Sequence, residues 1–191
     1  QGTLQAIFEF QSMICRLTGL DAANASLYDG GTALAEAVMT AASATRRDTV
    51  VITGGVNPVY RRIVRTYTRN AGLRLVELPA AIGEATDRQA LAAALNDGVA
   101  AVVVQNPDFF GSIDDLGDIA AQAHAAGALL IASVYPVALG LLKRPGDMGV
   151  DIATGEGQSL GLPLGFGGPC LGLFAVRQAL VRKMPGRIVG E

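Results

Sequence analysis

The sequence predicts an α/β fold, doubly wound around a mostly parallel sheet. Compact β-branched runs recur along nearly the whole length, stretches with helical apolar spacing lie between them, and the runs are apolar almost without a break. Near-continuous apolar strands are covered on both faces, and helices between them imply right-handed βαβ crossovers.

The elements follow in order. Leu4, Ile7, Phe8, Ile14 and Leu17 recur at helical spacing and stop before Gly19. Leu34, Ala37, Val38 and Ala41 repeat that spacing after "DGGT". Strand-like runs follow at Thr49-Val-Val-Ile-Thr53, Leu73-Arg-Leu-Val-Glu-Leu78, Ala101-Val-Val-Val104, Leu129-Leu-Ile131 and Asp151-Ile-Ala-Thr154. Helical stretches are expected near 57–71, 87–96 and 114–126. The last apolar stretch, Leu171-Gly-Leu-Phe-Ala-Val176, follows a glycine-rich loop with no helix before it, so an antiparallel strand is expected there.

Composition narrows the function classes. With 191 residues, half of them hydrophobic, the chain can bury one sizeable core, and residues 1–191 read as a single domain. Fifteen Lys and Arg against 17 Asp and Glu give a net charge of −2, so no global basic field draws the chain to nucleic acid or to an anionic membrane. The longest apolar runs have the length of buried strands, short of the roughly 20 residues a spanning helix needs. Cys15 and Cys170 stand far apart, with no Cys-x-x-Cys pattern and no metal-ligand spacing, which fits core or loop thiols in a reducing, cytoplasmic compartment. The chain opens on Gln1 and runs at once into a helical pattern, and it closes in a Pro/Gly-rich stretch, so it reads as a piece excised from a longer protein.

Several stretches could carry chemistry. "SLYDGGTALAEA" puts Asp29, Gly30, Gly31 and Thr32 at the start of a strong helix; this is either an anion cradle built on first-turn amides or an ordinary Asp/Gly N-cap turn. "VVQNPDFFG" ends a buried strand where open α/β sheets bind ligands, so Phe109 could stack on a planar group or line a partner surface; equally the Phe pair could cap the core. Arg61, Arg65 and Arg69, with Arg62 beside them, form a stripe that is either a solvated face or a dock for an acidic protein. His124 lies in an Ala-rich helix with no carboxylate nearby in sequence and reads as a surface residue. Gly155-Glu-Gly157 lacks the third glycine of a dinucleotide fingerprint, and no GK[ST] occurs, which excludes a P-loop.

From Gln1 to Glu191 the sequence resembles the P-protein of the glycine cleavage system, glycine dehydrogenase (decarboxylating). More narrowly it is similar to subunit 1, the N-terminal-half homologue of organisms that split the enzyme in two. The strings that carry the resemblance are "QGTLQAIFEFQSMICRLTGLDAANASLYDGGTALAEA", "LLKRPGDMGVDIATGEGQSLGLPLGFGGPCLGLFAVR" and "RKMPGRIVGE". The resemblance implies a three-layer fold with a seven-stranded, mostly parallel sheet, the large domain of a pyridoxal-phosphate-dependent transferase of aspartate aminotransferase type (fold type I).

Such an enzyme needs a lysine for the Schiff base and an aspartate to hold the pyridinium nitrogen protonated. Against the family's catalytic subunit, Ser133 falls at the aspartate position, Ser159 at the lysine position and Gln158 at the preceding histidine. The chain has two lysines, Lys143 and Lys183, neither placed to substitute. The resemblance thus implies a subunit with no catalytic residue, cofactor or metal of its own. Pyridoxal phosphate would sit in the catalytic subunit 2, and the complex would decarboxylate glycine and pass the aminomethyl group to the lipoyl arm of the H-protein. Tyr28, Asp29, Gly30, Gly31, Thr32, Phe109 and Gln158 are the expected interface or active-site entrance residues. Two rival readings remain: a stand-alone pyridoxal-phosphate enzyme using "DGGT" and Lys143, and a purely structural or regulatory pseudoenzyme.

Overall fold

The computed structural model describes residues 2–80, 82–83 and 86–190. Helix α1 (Gly2–Thr18) leads to a two-residue strand β1 (Ala22–Ala23), and helix α2 (Gly30–Thr45) to β2 (Thr49–Ile52). Then alternate α3 (Pro58–Thr68), β3 (Arg74–Glu77), α4 (Arg88–Ala94), β4 (Val99–Asn106), α5 (Leu116–Ala125) and β5 (Leu129–Val134). Two 3₁₀ turns precede β6 (Ile152–Glu156), and the glycine-rich loop after it leads to β7 (Gly172–Val176).

The strands form one seven-stranded sheet in the order β1-β7-β6-β5-β4-β2-β3. Pairings among β2 to β6 are parallel, while β7 runs antiparallel between β6 and β1. The expected strands are all present, and so is the antiparallel β7: fifteen residues of glycine-rich loop between Glu156 and Gly172 make a return rather than a helical crossover. β1 has no counterpart in the sequence reading, since two alanines show no period.

Each strand carries alternate side chains to two separate cores. On one face Val102, Leu130, Ala132 and Ala153 pack with Ile14, Leu91, Leu116 and Ile119 from α1, α4 and α5. On the other, Val50, Ile52, Val103, Ile131, Ile152 and Phe174 pack with Leu34, Val38 and Val64 from α2 and α3. The architecture is therefore three-layered, with all the parallel strands ending their carboxyl termini along one rim.

Helix ends are set locally. The Asp29 carboxylate accepts the Thr32 N–H at 2.8 Å and the Thr32 hydroxyl faces the Asp29 N–H at 3.3 Å, a capping box that starts α2. Asn57, Asp87 and Asp115 cap α3, α4 and α5 through their side-chain oxygens. Each cap belongs to the connection leaving the rim, so the caps fix how the helices depart from the strand ends.

Candidate functional site

A cleft of about 330 Å³ opens at the carboxyl ends of β4, β5 and β6, where open α/β sheets place their ligands. Ser133 and Glu156 enter it from β5 and β6, Gln105, Asp108 and Phe109 from the end of β4, and Tyr60 from α3. The register explains the grouping: Gln105 pairs with Ser133 and Ser133 with Thr154, so their side chains leave the sheet on the face that packs α2 and α3. Gln105 accepts the Asn57 N–H at 2.9 Å and so ties the start of α3 to this rim.

Glu156 organises the site. One carboxylate oxygen accepts the Gly30 N–H at the start of α2 at 3.0 Å, and the other accepts the Gln158 N–H at 2.9 Å and the Leu171 N–H at 2.8 Å. A single side chain thus occupies the amino end of α2, where an external anion would bind, and holds both ends of the glycine-rich loop. Tyr60 lies against this group. Burial, with the negative charges of Glu156 and Asp29, pushes its phenol up to about 12, so it stays protonated at neutral pH.

The "DGGT" glycines serve the protein's own packing. A Cβ on Gly30 would stand 2.6 Å from the Tyr60 hydroxyl and 2.9 Å from the Glu156 nitrogen, and one on Gly31 would stand 2.5 Å from the Ile63 Cδ1. They let α3 and the end of β6 approach α2. Asp29 and Thr32 are spent on the capping box, whereas the Tyr28 ring is 88% exposed.

The other expected site residues divide. Ser133 is buried at the cleft floor. Ser159 is exposed in the 3₁₀ turn Gln158–Leu160 and does not line the cleft. Gln158 has its amide nitrogen buried with no hydrogen-bond partner among the described residues. Phe109 is half exposed and meets Phe110 edge to face at 5.5 Å, so the pair does not cap the core. Lys143 opens onto a different hollow beside Asn106 and Asp114, and Lys183 donates to the Ser43 carbonyl near the far end of α2. Among the described residues the lining of the cleft holds two carboxylates, Asp108 and Glu156, and no lysine, arginine or histidine. It offers no amine for an imine and no cation for a phosphate.

The model of the glycine cleavage system P-protein family matches residues 1–191. The chain belongs to that family. It is 63% identical over its whole length to a "Probable glycine dehydrogenase (decarboxylating) subunit 1" of Geotalea uraniireducens and spans 43% of that protein. A crystal structure of glycine decarboxylase (P-protein) in inhibitor-bound form superposes with a TM-score of 0.93 at 50% identity, over 98% of this chain and 42% of that one. Cystathionine gamma-lyase of Lactobacillus plantarum, at 22% identity and a TM-score of 0.70, shares the fold over 96% of this chain and 45% of its own. The fold is that of the pyridoxal-phosphate-dependent enzymes of fold type I, and the chain spans less than half the length of its P-protein relatives.

Sequence reasoning missed Glu156, Tyr60 and Gln105. The strand-end rule that singled out Phe109 points equally to Gln105 and Glu156, each at the carboxyl end of a β-rich run. Tyr60 had no such signal, since it reaches the site from a helix face.

His124 lies on the surface, as expected, and has a carboxylate partner far off in sequence. Its Nε2 lies 2.8 Å from the Asp151 carboxylate, which also accepts the Leu130 N–H at 2.8 Å. The helix period conceals a partner 27 residues away. Arg61 and Arg65 of the basic stripe both pair with Glu77, while Arg62 and Arg69 meet no carboxylate among the described residues.

Proposed function

We propose that this chain is the sheet-bearing large domain, a single unit over 1–191, of the non-cofactor-binding subunit of a two-subunit P-protein. In this reading the complex decarboxylates glycine and transfers the aminomethyl group to the lipoyl arm of the H-protein in the cytoplasm. Pyridoxal phosphate is held by the catalytic subunit 2. The observation that carries the reading is the cleft itself: it lies where the fold binds ligands, yet among the described residues its lining is acidic and holds no amine or cation. The residues present do not fit pyridoxal phosphate. Ser133 can donate a hydrogen bond but cannot supply the charge that keeps a pyridinium protonated, and a serine hydroxyl at 159 forms no imine.

The surface beside the cleft supports a partner. Leu160, Leu162, Leu164 and Phe166 of the glycine-rich loop are exposed, as are Val137 and Leu141 of the 3₁₀ turn that packs near it. An apolar surface of this kind on a soluble-sized chain marks an interface, and the unpaired Gln158 amide adjoins it. Tyr28 and Phe109 present free rings for the entrance. Asp29, Gly30, Gly31 and Thr32 act beneath that surface, holding α2 and through Glu156 the loop.

The test is an absorbance titration of the purified chain with pyridoxal phosphate, followed by borohydride reduction and peptide mapping. The expected result is no saturable absorbance change and no lysine fixed by reduction. Saturable binding with label confined to Lys143 overturns the reading in favour of an independent enzyme. In the full complex, Tyr28→Ala and Phe109→Ala should lower turnover while the subunits still assemble; unchanged turnover with intact assembly assigns this subunit a purely structural role.

A further inference from the structure

β3 closes one end of the sheet and, among the described residues, pairs only with β2. Arg74 and Leu78 donate inward to the Asp48 and Ile52 carbonyls, so by alternation the N–H and C=O of Leu75 and Glu77 point outward from the sheet. Such an edge is a template for another strand unless something blunts it. β3 carries no proline, and its residues Leu75 and Glu77 line, with α3, a groove of about 490 Å³.

The walls of that groove have one sign. Arg62 and Arg65 line it from α3 and Arg69 from the cap that follows, Leu73 and Leu75 form an apolar floor, and Glu77 is the one acidic side chain among the described residues of the lining. Glu77 is already engaged by Arg61 and Arg65. Arg62 and Arg69 are exposed and meet no carboxylate among the described residues. They lie seven positions apart along the helix, about 10 Å along the axis. Alternate residues of an extended strand repeat about every 6.6 Å, so two successive same-face side chains of an added strand fall within that span. The opposite face of the added strand would continue the side of the sheet where Val76 and Leu78 are half-buried.

We propose that the groove between α3 and the β3 edge docks an extended segment of a partner protein in which acidic and apolar residues alternate. The segment adds as a strand beside β3, with main-chain hydrogen bonds to Leu75 and Glu77, its carboxylates on Arg62 and Arg69, and its apolar side chains continuing the other face. The open edge gives the binding geometry and the arginines give the choice of partner. This inference concerns the rim opposite the β7 side of the sheet and stands whether or not the cleft lacks a cofactor.

The experiment uses the full-length polypeptide and a fluorescein-labelled peptide of about eight residues alternating glutamate and valine, the length one added strand requires. Fluorescence anisotropy should show saturable binding that weakens with added salt. Arg62→Glu with Arg69→Glu should lower affinity by about tenfold or more, each site losing an attraction and gaining a repulsion. Glu77→Gln should act the other way and tighten binding, since it frees Arg61 and Arg65. Both variants lie on the surface, and an unchanged melting curve shows that they fold. No saturable binding, binding indifferent to the double arginine variant, or equal displacement by a single-stranded DNA oligonucleotide each overturns the proposal.

Discussion

Replacing Glu156 by alanine removes the acceptor of three backbone N–H groups at once, those of Gly30, Gln158 and Leu171. Hydrogen bonds to a charged group contribute about 1.5–3 kcal/mol each when buried, and Glu156 is half-buried, so about 1 kcal/mol per bond is the apt figure. The sum, about 3 kcal/mol, acts on local opening rather than on the remote cores, because all three donors lie at the amino end of α2 or at the ends of the glycine-rich loop. At about 1.4 kcal/mol per factor of ten, amide exchange at these positions should speed up roughly a hundredfold. Hydrogen exchange read by mass spectrometry over 28–34 and 157–172 measures it, with the central strand around Ile131 as an internal reference that stays protected. Glu156→Gln keeps one acceptor oxygen and should lose about a third of the effect. If the alanine variant changes protection in these peptides by less than about threefold, the scale of an ordinary surface substitution, Glu156 does not hold the loop to α2.

Other predictions follow the same logic. Burial works against ionisation of Asp114, but its paired hydrogen bonds with Arg88 and the Thr86 N–H outweigh that and hold the carboxyl below the usual range. A depressed folded value gives stability that is complete above the unfolded value near 3.9 and lost as pH falls through the folded one. Asp114→Asn should therefore cost about 1–3 kcal/mol at pH 7 and progressively less below about pH 4, measured by urea unfolding; a pH-independent difference refutes the pairing. Asp151→Ala strands the buried Leu130 N–H and should cost about 2 kcal/mol, whereas His124→Ala, at a partly exposed partner, should cost under about 1 kcal/mol; equal losses would contradict the assignment. Gly31→Ala should lower the melting temperature by forcing a methyl against the Ile63 Cδ1, and Ile63→Val in the same chain, which removes that atom, should recover most of the loss.

The parts of the fold that are legible in sequence are those whose signal is periodic and long. α1 and α2 show apolar spacing from Leu4 to Leu17 and from Leu34 to Ala41, and β4 and β5 are β-branched runs buried on both faces, so burial and propensity point the same way. β1 escapes because its two residues are held by pairing with Val176 and Ala175 rather than by anything local. The site was half legible. Phe109 follows from a strand end, a one-dimensional rule, and Ser133 from the family resemblance. The same rule reaches the position of Glu156 but not its role, a contact across 126 residues to Gly30, and Tyr60 depends on a helix-helix approach that Gly30 and Gly31 permit.

That division bears on the loss of chemistry proposed above, in which the lysine and the aspartate are given up at two single rim positions, Ser159 and Ser133. The amino end of α2 is different. Left without an anion it would present unpaired N–H groups and a positive dipole end beside a glycine-rich loop with few contacts of its own. Glu156 supplies that anion from within the chain and spends it on the loop, so the surface formed by Leu160 to Phe166 is held in place without a bound ligand. The cleft beside it, lined among the described residues by Asp108 and Glu156, borders a loop whose position is set by an internal carboxylate.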